Sequence, residues 1–529
     1  MSILHSLLTT TAVLQLAGFW IVPQSLAQTS KSNEILASKN ANYDSTHLAN
    51  ELNRLQNIVK QNSVPISLDK AIVIGITNNP ELLQAFGSIQ QYEWSLIAAQ
   101  RRWYPQLQLS NGSPFIGYSW GTYINNQYGM RGNRDSSTTL SSNSLYSTKK
   151  NQSFLLQPGA IVSWNFIDPT RKPDINAVSE SLKQQKLLFN VSTRSLILNL
   201  QQSYYGIQSG QQLINSFKQI YEINKQQLKM LEAQKNIGMA TVLDVEQTKS
   251  QLFTQLSQLV SYTQEYIKQT ALLAEYLALP PGQLAIPSDP AALAGSWSET
   301  LQETLKNALQ QREEILASLA AAESAQWRGI ASIRSYLPVF QLMGTGSLNS
   351  SNGYPYVPVD DDPGSAYHWT RTWTATVGIG FSWSLFDGGI NAANAQSFYA
   401  QSRQQKAQAA QTELTVVRQV RNSFAEMQTS RIAIASAQRA YESAKLAQEV
   451  ARVRWAAGVG DITSVVQTIQ QLSIAAQQSS QAILSYNNAV AELYRYSATW
   501  PGSTEKDVQM RLRMMRNPSS NPTNSSLMP

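Results

Sequence analysis

The chain has 529 residues, of which 14% are charged, and its 41 basic and 34 acidic side chains leave a formal charge of +7. This balance is too dilute for a nucleic-acid-binding surface, so nucleic acid is not an expected partner. Cysteine is absent, and the three histidines (His5, His47 and His368) are far apart in the sequence. Disulfides and thiolate centres are therefore excluded, and we expect no metal and no cofactor.

The first 27 residues have the pattern of a secretory signal peptide. Residues 3–22 are mostly apolar, and Ser25-Leu26-Ala27 has the small-x-small form of a cleavage site. The first residues carry no Lys or Arg, so a buried helix or a membrane anchor is the alternative. No later stretch approaches the ~20 apolar residues of a membrane-spanning helix, so entry into a membrane would require strands. Residues 28–66 are polar and indicate a linker or peripheral segment with one helix.

Two stretches of the chain share one motif at a constant spacing of 220 residues. Gly238 corresponds to Gly458, and Pro281-Gly282 corresponds to Pro501-Gly502. The register holds without insertion over residues 238–282, so we interpret the chain as a duplicated unit. Each repeated glycine lies between two long helical patterns, and glycine accepts the positive φ of a tight turn. Gly238 and Gly458 are therefore predicted to be the tips of two helical hairpins.

Each repeat is predicted to open with a short helix, and a proline break leads from the helical stretch into a pair of strands. Repeat 1 is predicted to cover residues 67–282 and repeat 2 residues 301–502, with residues 283–300 as the linker between them. The strands are predicted at about residues 106–120, 154–167, 339–348 and 373–386.

The strand pattern at residues 373–385 is the clearest of the four. Apolar side chains occupy every second position from Trp373 to Leu385, and Thr, Gly or Ser occupies the positions between them. This period of two gives one apolar face and one small polar face. Trp373 and Trp383, with Trp164 in repeat 1, stand where the aromatic girdles of membrane barrels lie. The pattern favours a barrel wall over a half-buried strand of a soluble protein.

Two long loops are predicted between the strands, at residues 121–151 and 349–370. The second loop contains Asp360-Asp361-Asp362, which could indicate a calcium site. No matching ligand loop follows, so a solvated turn before Pro363-Gly364 is the favoured interpretation.

Each strand pair leads into a very long helix. These helices are predicted over about residues 175–237 and 390–457, and at ~1.5 Å per residue each would be about 95–100 Å long. Small side chains at heptad spacing let neighbouring helices pack closely, and such a series occurs at Ala433, Ala437, Ala440, Ala444, Ala447 and Ala451. The tail, residues 503–529, is rich in Ser, Asn and Pro and is predicted to be disordered.

Four membrane-type strands from one chain cannot close a barrel. Exposed sheet edges are not tolerated in lipid, and single-chain barrels begin at about eight strands, so the protein must oligomerise. Two, three or four subunits would give about eight, twelve or sixteen strands, and their long helices would form a projecting tube. The sequence contains no nucleophile elbow, phosphate-binding loop or zinc motif, so we do not expect an enzyme.

This duplicated plan resembles the TolC-type outer membrane efflux proteins over about residues 67–502. The resemblance rests on the tip motifs Gly238-Met-Ala-Thr-Val-Leu-Asp-Val and Gly458-Val-Gly-Asp-Ile-Thr-Ser-Val and on the strand exit Phe386-Asp387-Gly388. It implies an α+β protein of the cell outer membrane, a homotrimer whose twelve-strand β-barrel is continuous with a long α-helical coiled-coil barrel in the periplasm. The outer part would lie in outer membrane lipid.

The resemblance also implies partners and a cargo. Small toxic compounds (multidrug efflux), secreted proteins (type I secretion) or both would pass from an inner membrane pump of the ABC or RND type through a periplasmic adaptor, or membrane fusion, protein. The alternative function is a non-transporting coiled-coil structural protein of the envelope. The amphipathic strands favour the duct, because a pure scaffold would not need them.

Two sets of site residues follow from the resemblance. The family's adaptor-docking tips correspond to Gly238, Met239, Ala240, Gly458, Val459 and Gly460. Its periplasmic entrance corresponds to Asp244, Trp455, Asp461, Ser464 and Gln467.

This sequence departs from the family at the entrance. Well-known members have acidic side chains at the positions of Ser464 and Gln467 and a basic one at Gly460, so the usual acidic rings and the gate tied by that basic residue are lost here. Asp244 and Asp461 could supply charge nearby, or they could be helix N-terminal residues that interact with the macrodipole.

Overall fold

The computed structural model describes residues 45–109, 115–127, 145–354 and 368–501 together with Lys506, Val508 and Met510. The predicted signal peptide, most of the first predicted loop and the aspartate run of the second lie outside the described residues.

The described chain contains nine helices, which follow in this order: α1 (Ser45–Gln61), α2 (Leu68–Asn78), α3 (Pro80–Arg101), α4 (Arg171–Asn236), α5 (Val242–Tyr276), α6 (Leu301–Gln311), α7 (Glu313–Arg334), α8 (Ile390–Ala456) and α9 (Ile462–Tyr496). It also contains eight strands: β1 (Ser63–Ile66), β2 (Gln106–Leu109), β3 (Ile116–Gln127), β4 (Leu145–Leu156), β5 (Gly159–Ile167), β6 (Leu284–Pro287), β7 (Val339–Tyr354) and β8 (His368–Ser382). No helix among the described residues has both the length and the apolar character needed to cross a membrane.

The large sheet is antiparallel throughout. β2 pairs with β5, and β3 pairs with β4. β2 and β3 therefore follow one another along the same edge of the sheet, and we count them as one strand line. Both β4 and β5 pair with β7, and β7 pairs with β8 at the opposite edge. The sheet therefore consists of four lines in chain order, two from each repeat.

The strand boundaries differ from the sequence prediction. The predicted strand at residues 154–167 is divided at Pro158, because proline has no N–H to donate to the ladder. Residues 121–127 and 145–151, predicted as loop, lie in the β3–β4 ladder. β7 extends to Tyr354, and β8 begins at His368 and ends at Ser382. These segments are held in the sheet by backbone pairing, and their polar side chains carry no apolar alternation that would mark a strand in the sequence.

Equivalent hydrogen bonds recur in the two repeats. Asn79 Nδ2 donates to the carbonyl of Tyr276 at 3.1 Å, and Arg312 Nη1 donates to the carbonyl of Tyr496 at 3.0 Å. In both cases the residue before α3 or α7 satisfies a free carbonyl at the end of a return helix. The backbone of both Ala278 and Ala498, two residues beyond those tyrosines, has a positive φ.

The long helices α4 and α8 organise the helical part. Near the sheet, α4 packs against α3 and α7, and α8 packs against α7. Towards the hairpin tips, α4 packs against α5 and α9, and α8 packs against α9. Of the 66 residues of α4, 26 are buried, whereas only 11 of the 67 residues of α8 are buried. Thus α4 is central in the layer, and α8 forms one edge of it.

The largest apolar core surrounds α4 and includes the N-terminal segment. Leu52 and Val59 of α1 and Ile66 of β1 are buried in this core, and β1 pairs in parallel with β6 of the inter-repeat linker. The helix predicted in this segment is α1, but the segment is not peripheral, because its apolar side chains have partners from distant parts of the chain. Val508 is also buried there, in a helical conformation, so the prediction of disorder is wrong at that residue.

A buried ionic cluster joins the two repeats beside this core. Arg194 Nε donates to Glu313 at 2.8 Å, and its guanidinium stacks over the ring of Trp500. Glu314 accepts hydrogen bonds from Arg495 at 2.6 Å and from Arg312 at 2.7 Å. Because these side chains lie on α4, α7 and α9 and on the residue before α7, the cluster fixes these elements relative to one another.

Candidate functional site at the hairpin tips

The tip of repeat 1 is a tight turn between α4 and α5. Gly238 has a φ of 79°, and its N–H donates to the carbonyl of Lys235 at 3.0 Å. The N–H of Met239 donates to the carbonyl of Gln234 at 2.8 Å. These bonds satisfy carbonyls that the end of α4 would otherwise leave free, and the positive φ explains the glycine.

A capping box starts the return helix α5. Thr241 Oγ1 accepts a hydrogen bond from the N–H of Asp244 at 3.1 Å, and Asp244 Oδ2 accepts one from the N–H of Thr241 at 3.0 Å. The same carboxylate oxygen accepts the Thr241 hydroxyl at 2.7 Å. The structure therefore gives Asp244 the role of a helix N-terminal residue, one of the two alternatives that its position allows.

The tip of repeat 2 has the same turn but lacks the side-chain cap. Gly458 has a φ of 75°, its N–H donates to the carbonyl of Trp455 at 2.9 Å, and that of Val459 donates to Arg454 at 3.0 Å. Asp461 is the N-cap residue of α9, but its side chain makes no capping hydrogen bond. Its carboxylate is exposed and lies close to the positive end of the α9 dipole.

Trp455 lies in the core rather than on the entrance surface. Only 9% of the residue is exposed, and it belongs to an apolar cluster that draws on α4, α5, α8 and α9, with Ile220, Val245, Ile462 and Val465 among its members. The expectation that Trp455 lines the entrance is corrected accordingly. Its side chain holds the two hairpins together just behind their tips.

The other predicted tip and entrance residues are on the surface. Met239 is 74% exposed and Val459 is 72% exposed. Ser464 and Gln467 are exposed and uncharged. Ala240 is partly buried against the Trp455 cluster.

A groove of about 550 Å³ runs along α8 and across tip 2. It brings together four of the predicted residues, Val459, Gly460, Asp461 and Ser464, whereas Gln467 and the tip of repeat 1 do not line it. A Cβ at Gly460 would lie 3.1 Å from the backbone nitrogen of Trp455, so a side chain there would require a small shift of the neighbouring backbone. The lining of the groove is mainly apolar and includes the acidic Asp461 and the basic Arg454.

The groove also contains residues that the sequence analysis missed, namely Ser443, Leu446, Ala447, Val450, Ala451 and Arg454. Leu446, Val450 and the nearby exposed Val453 follow the spacing of one helix face. That spacing could have identified them, because their side chains are apolar on a helix whose other exposed positions are mainly polar.

The three predicted girdle tryptophans have different environments. Trp164 Nε1 donates to the carbonyl of Trp103 at 2.9 Å, and Trp383 Nε1 donates to that of Tyr336 at 2.9 Å. Both therefore fasten the sheet to the ends of the short helices. Trp373 lies within β8 opposite Leu348, and its side chain is exposed.

Comparison with known proteins supports the family resemblance. The family model for outer membrane efflux proteins matches residues 299–499, which contain α6 to α9 and the second strand pair. The match covers the second repeat of this chain. The resemblance found in the sequence is thereby confirmed, and it locates the protein in the cell outer membrane with its helical tunnel part in the periplasm.

Solved structures of outer membrane channels share the fold. The outer-membrane channel OprN aligns with a TM-score of 0.64 and 16% identity, over 82% of this chain and 90% of that chain. CusC aligns with a TM-score of 0.64 and 17% identity, over 83% of this chain and 94% of that chain. The Campylobacter jejuni CmeC outer membrane channel aligns with a TM-score of 0.63 and 17% identity, over 84% of this chain and 89% of that chain. At these identities the likeness shows the fold alone. The comparison with curated protein sequences found no match for this chain.

Proposed function

We propose that the protein is the outer membrane channel of a tripartite export system and works as a homotrimer. In this proposal three chains form a twelve-strand barrel that continues into a helical tunnel. The supporting observation is that the sheet of one chain has two unpaired edges, and that its helical layer has exposed apolar side chains on the same two sides.

The sheet has two unpaired edges among the described strands. The line of β2 and β3 pairs only with β4 and β5, and β8 pairs only with β7. The apolar face of β8 is exposed along its length at Trp373, Val377, Ile379 and Phe381. Backbone groups at such edges need partners in lipid, and a neighbouring copy can provide them.

The helical layer has its edges on the same two sides. β8 leads directly into the edge helix α8, and α3 leads directly into β2. α8 exposes Leu414 and Ile432, each more than 70% accessible, and the opposite edge exposes Trp94 of α3 and Val260 of α5. A second copy placed beside the first can thus cover the strand edge and the helix edge together.

The spacing of the exposed aromatic residues fits a membrane wall. Trp373 and Trp383 are ten positions apart, which corresponds to about 33 Å along an extended strand. With the tilt of about 40° typical of barrels, that length spans roughly the 25 Å apolar band between two aromatic girdles. In the proposed barrel the sheet therefore crosses the membrane once in each strand line.

The tips form the periplasmic mouth and receive the adaptor. An apolar helical hairpin of a periplasmic adaptor fits the groove at tip 2, with Val459 and Met239 as exposed apolar contacts at the six tips of the trimer. Ser464 and Gln467 line the entrance without charge, and Asp244 is engaged in its capping box. The proposed cargo is small toxic compounds, secreted proteins or both, delivered by an inner membrane pump of the ABC or RND type.

Single-channel recording of the purified oligomer in a planar bilayer tests this function. We expect a defined conductance with weak discrimination between cations and anions, because the entrance lacks acidic rings. A folded oligomer that inserts but never conducts would eliminate the duct and leave the structural role in the envelope. Denatured protein in the same detergent provides the baseline.

A further inference from the structure

A second polar cleft lies far from the tips. It has a volume of about 590 Å³, within the range of small-ligand sites, and lies where the end of α1 and the linker after β6 approach α4 and α5. Its polar lining comes mainly from Lys60, Gln208, Gln211, Asn215 and Asp289, and its apolar part includes Tyr266.

The linker side of the cleft is held in place by hydrogen bonds. Gln208 Nε2 donates to the carbonyls of Asp289 at 2.9 Å and Pro290 at 3.1 Å. The hydroxyl of Tyr204 donates to the Asp289 carboxylate at 3.3 Å. The cleft is therefore preformed, and the one carboxylate that lines it already has a donor.

An amide pair on α4 faces the cleft. Gln211 Nε2 donates to Asn215 Oδ1 at 3.0 Å, and the remaining Gln211 oxygen and Asn215 nitrogen have no other partner within the described chain. The reverse orientation of both amides would also leave one donor and one acceptor. A donor beside an acceptor is the complement of a secondary amide, which presents one N–H and one C=O.

Two lysines stand at one end of the same surface. Lys60 lines the cleft, and Lys218 follows Asn215 by one turn of α4. Burial, and then the positive charge of Lys60, lower the pKa of Lys218, so the two ammonium groups are close enough to repel each other. Neither lysine forms an ion pair with any described residue. A carboxylate placed between them would remove their mutual repulsion.

The cleft lies in the periplasmic part of the molecule. Gln208 is 37 residues along α4 from Arg171, which corresponds to about 55 Å from the base of the sheet. The periplasm contains the cell-wall polymer, whose sugars carry acetamido groups and whose short peptides carry free carboxylates. Both features of the cleft have a counterpart in that polymer.

We propose that this cleft binds the cell-wall glycopeptide. An acetamido or peptide amide pairs with Gln211 and Asn215, and a peptide carboxylate lies between Lys60 and Lys218. Binding of this kind would hold the periplasmic part of the protein in the wall, and it does not depend on whether the channel conducts.

Sedimentation with insoluble cell-wall sacculi tests the proposal on the full-length protein in detergent. We expect the concentration for half-maximal binding to rise at least tenfold in the double variants Lys60→Gln/Lys218→Gln and Gln211→Ala/Asn215→Ala. The matched control Lys229→Gln/Lys235→Gln removes two exposed charges from the same helix and should bind as the wild type does. Thermal unfolding of each variant shows whether it is folded, and the exposed Asn215 makes the amide variant the safer of the two.

Competition separates glycopeptide recognition from simple charge attraction. A soluble disaccharide tetrapeptide should displace the protein from sacculi, whereas poly-glutamate at equal charge should displace it much less. Equal displacement by poly-glutamate, equal weakening in the lysine control, or no sedimentation of the wild type with sacculi would each overturn the proposal.

Discussion

The indole N–H of Trp383 donates to the backbone carbonyl of Tyr336 at 2.9 Å and thereby joins the end of the β8 segment to the end of α7. The equivalent bond in repeat 1 runs from Trp164 to Trp103 at the same distance. Each repeat thus has one indole that fixes its sheet to its short helix. This duplicated pair of bonds defines the junction between the strand layer and the helical layer.

Replacing Trp383 by phenylalanine should weaken this junction. The variant Trp383→Phe keeps an aromatic ring but leaves the Tyr336 carbonyl without its donor, so we expect a loss of about 1 kcal/mol in the free energy of unfolding. Trp373→Phe is the matched control, because Trp373 lies on the exposed face of β8 and has no such bond among the described residues. Urea unfolding in detergent micelles measures both. Equal midpoints for the two variants would contradict the role of the bond.

The tip glycine should tolerate substitution much less well than a helical one. Gly238 has a positive φ, so Gly238→Ala should cost about 1–2 kcal/mol. Gly87 lies inside α3, and nothing stands within 4 Å of the position of its added Cβ. Gly87→Ala should therefore stabilise the protein by roughly 0.5–1 kcal/mol. Thermal unfolding of both variants gives the comparison, and a shift of the same sign in both would refute it.

The stability of the fold should fall when a charged partner is removed from the ionic cluster. Arg495→Gln removes a guanidinium that is mostly buried and leaves Glu314 with a single charged partner. Breaking a buried pair costs about 3–5 kcal/mol, and we expect the lower end because Glu314 is about a quarter exposed. Glu449→Gln changes an exposed residue of α8 and should have little effect on the urea midpoint. A similar urea midpoint for Arg495→Gln and wild type would show that the ion pair between Arg495 and Glu314 does not contribute to the stability of the fold.

Acid should weaken the same cluster through Glu314. Burial alone would raise the pKa of Glu314, but the charges and hydrogen bonds of Arg495 and Arg312 lower it below its ordinary value of 4.5. A carboxyl whose pKa is lower in the folded state stabilises the protein above its unfolded value and loses that contribution as the pH falls through the folded value. The wild type should therefore lose stability below about pH 4.5, and Glu314→Gln should lose less over the same interval. Parallel curves of unfolding midpoint against pH would contradict this assignment.

The proposed contact between copies can be tested by disulfide formation, because the chain has no cysteine of its own. Val260 on the α5 edge and Ile432 on the α8 edge lie 22 and 26 residues from their respective tip glycines, roughly 33 and 39 Å at 1.5 Å per residue. The double variant Val260→Cys/Ile432→Cys should therefore form covalent dimers and trimers on oxidation.

The pair Val260→Cys/Leu414→Cys is the matched control for this experiment. Leu414 lies 44 residues from Gly458, so the two thiols would be separated by about 33 Å along the tube axis. Denaturing gels without reductant should show only monomer for this pair. Monomer for both pairs, although the protein is folded, would rule out this arrangement of neighbouring copies.

The sequence by itself determined the features that depend on local periodicity. Patterns in consecutive residues indicate the duplication, the two glycine tips, the alternating strand near Trp373 and the lengths of α4 and α8. A helix or strand exposes one repeating face, and a tight turn requires a particular backbone dihedral, so short-range patterns suffice. The same patterns carried the family resemblance that the comparisons confirmed.

Only the tertiary structure determined which side chains are buried or hydrogen-bonded within the molecule. Trp455 is buried between two hairpins, Asp244 is bound within its own capping box, and Val508 lies in a core formed mainly by residues hundreds of positions away. The sequence reveals a residue's chemistry but not the distant atoms that pack against it. The open edges at β8 and α8 could likewise be assigned only when the order of neighbours was known, because that order is set by contacts between segments far apart in the chain.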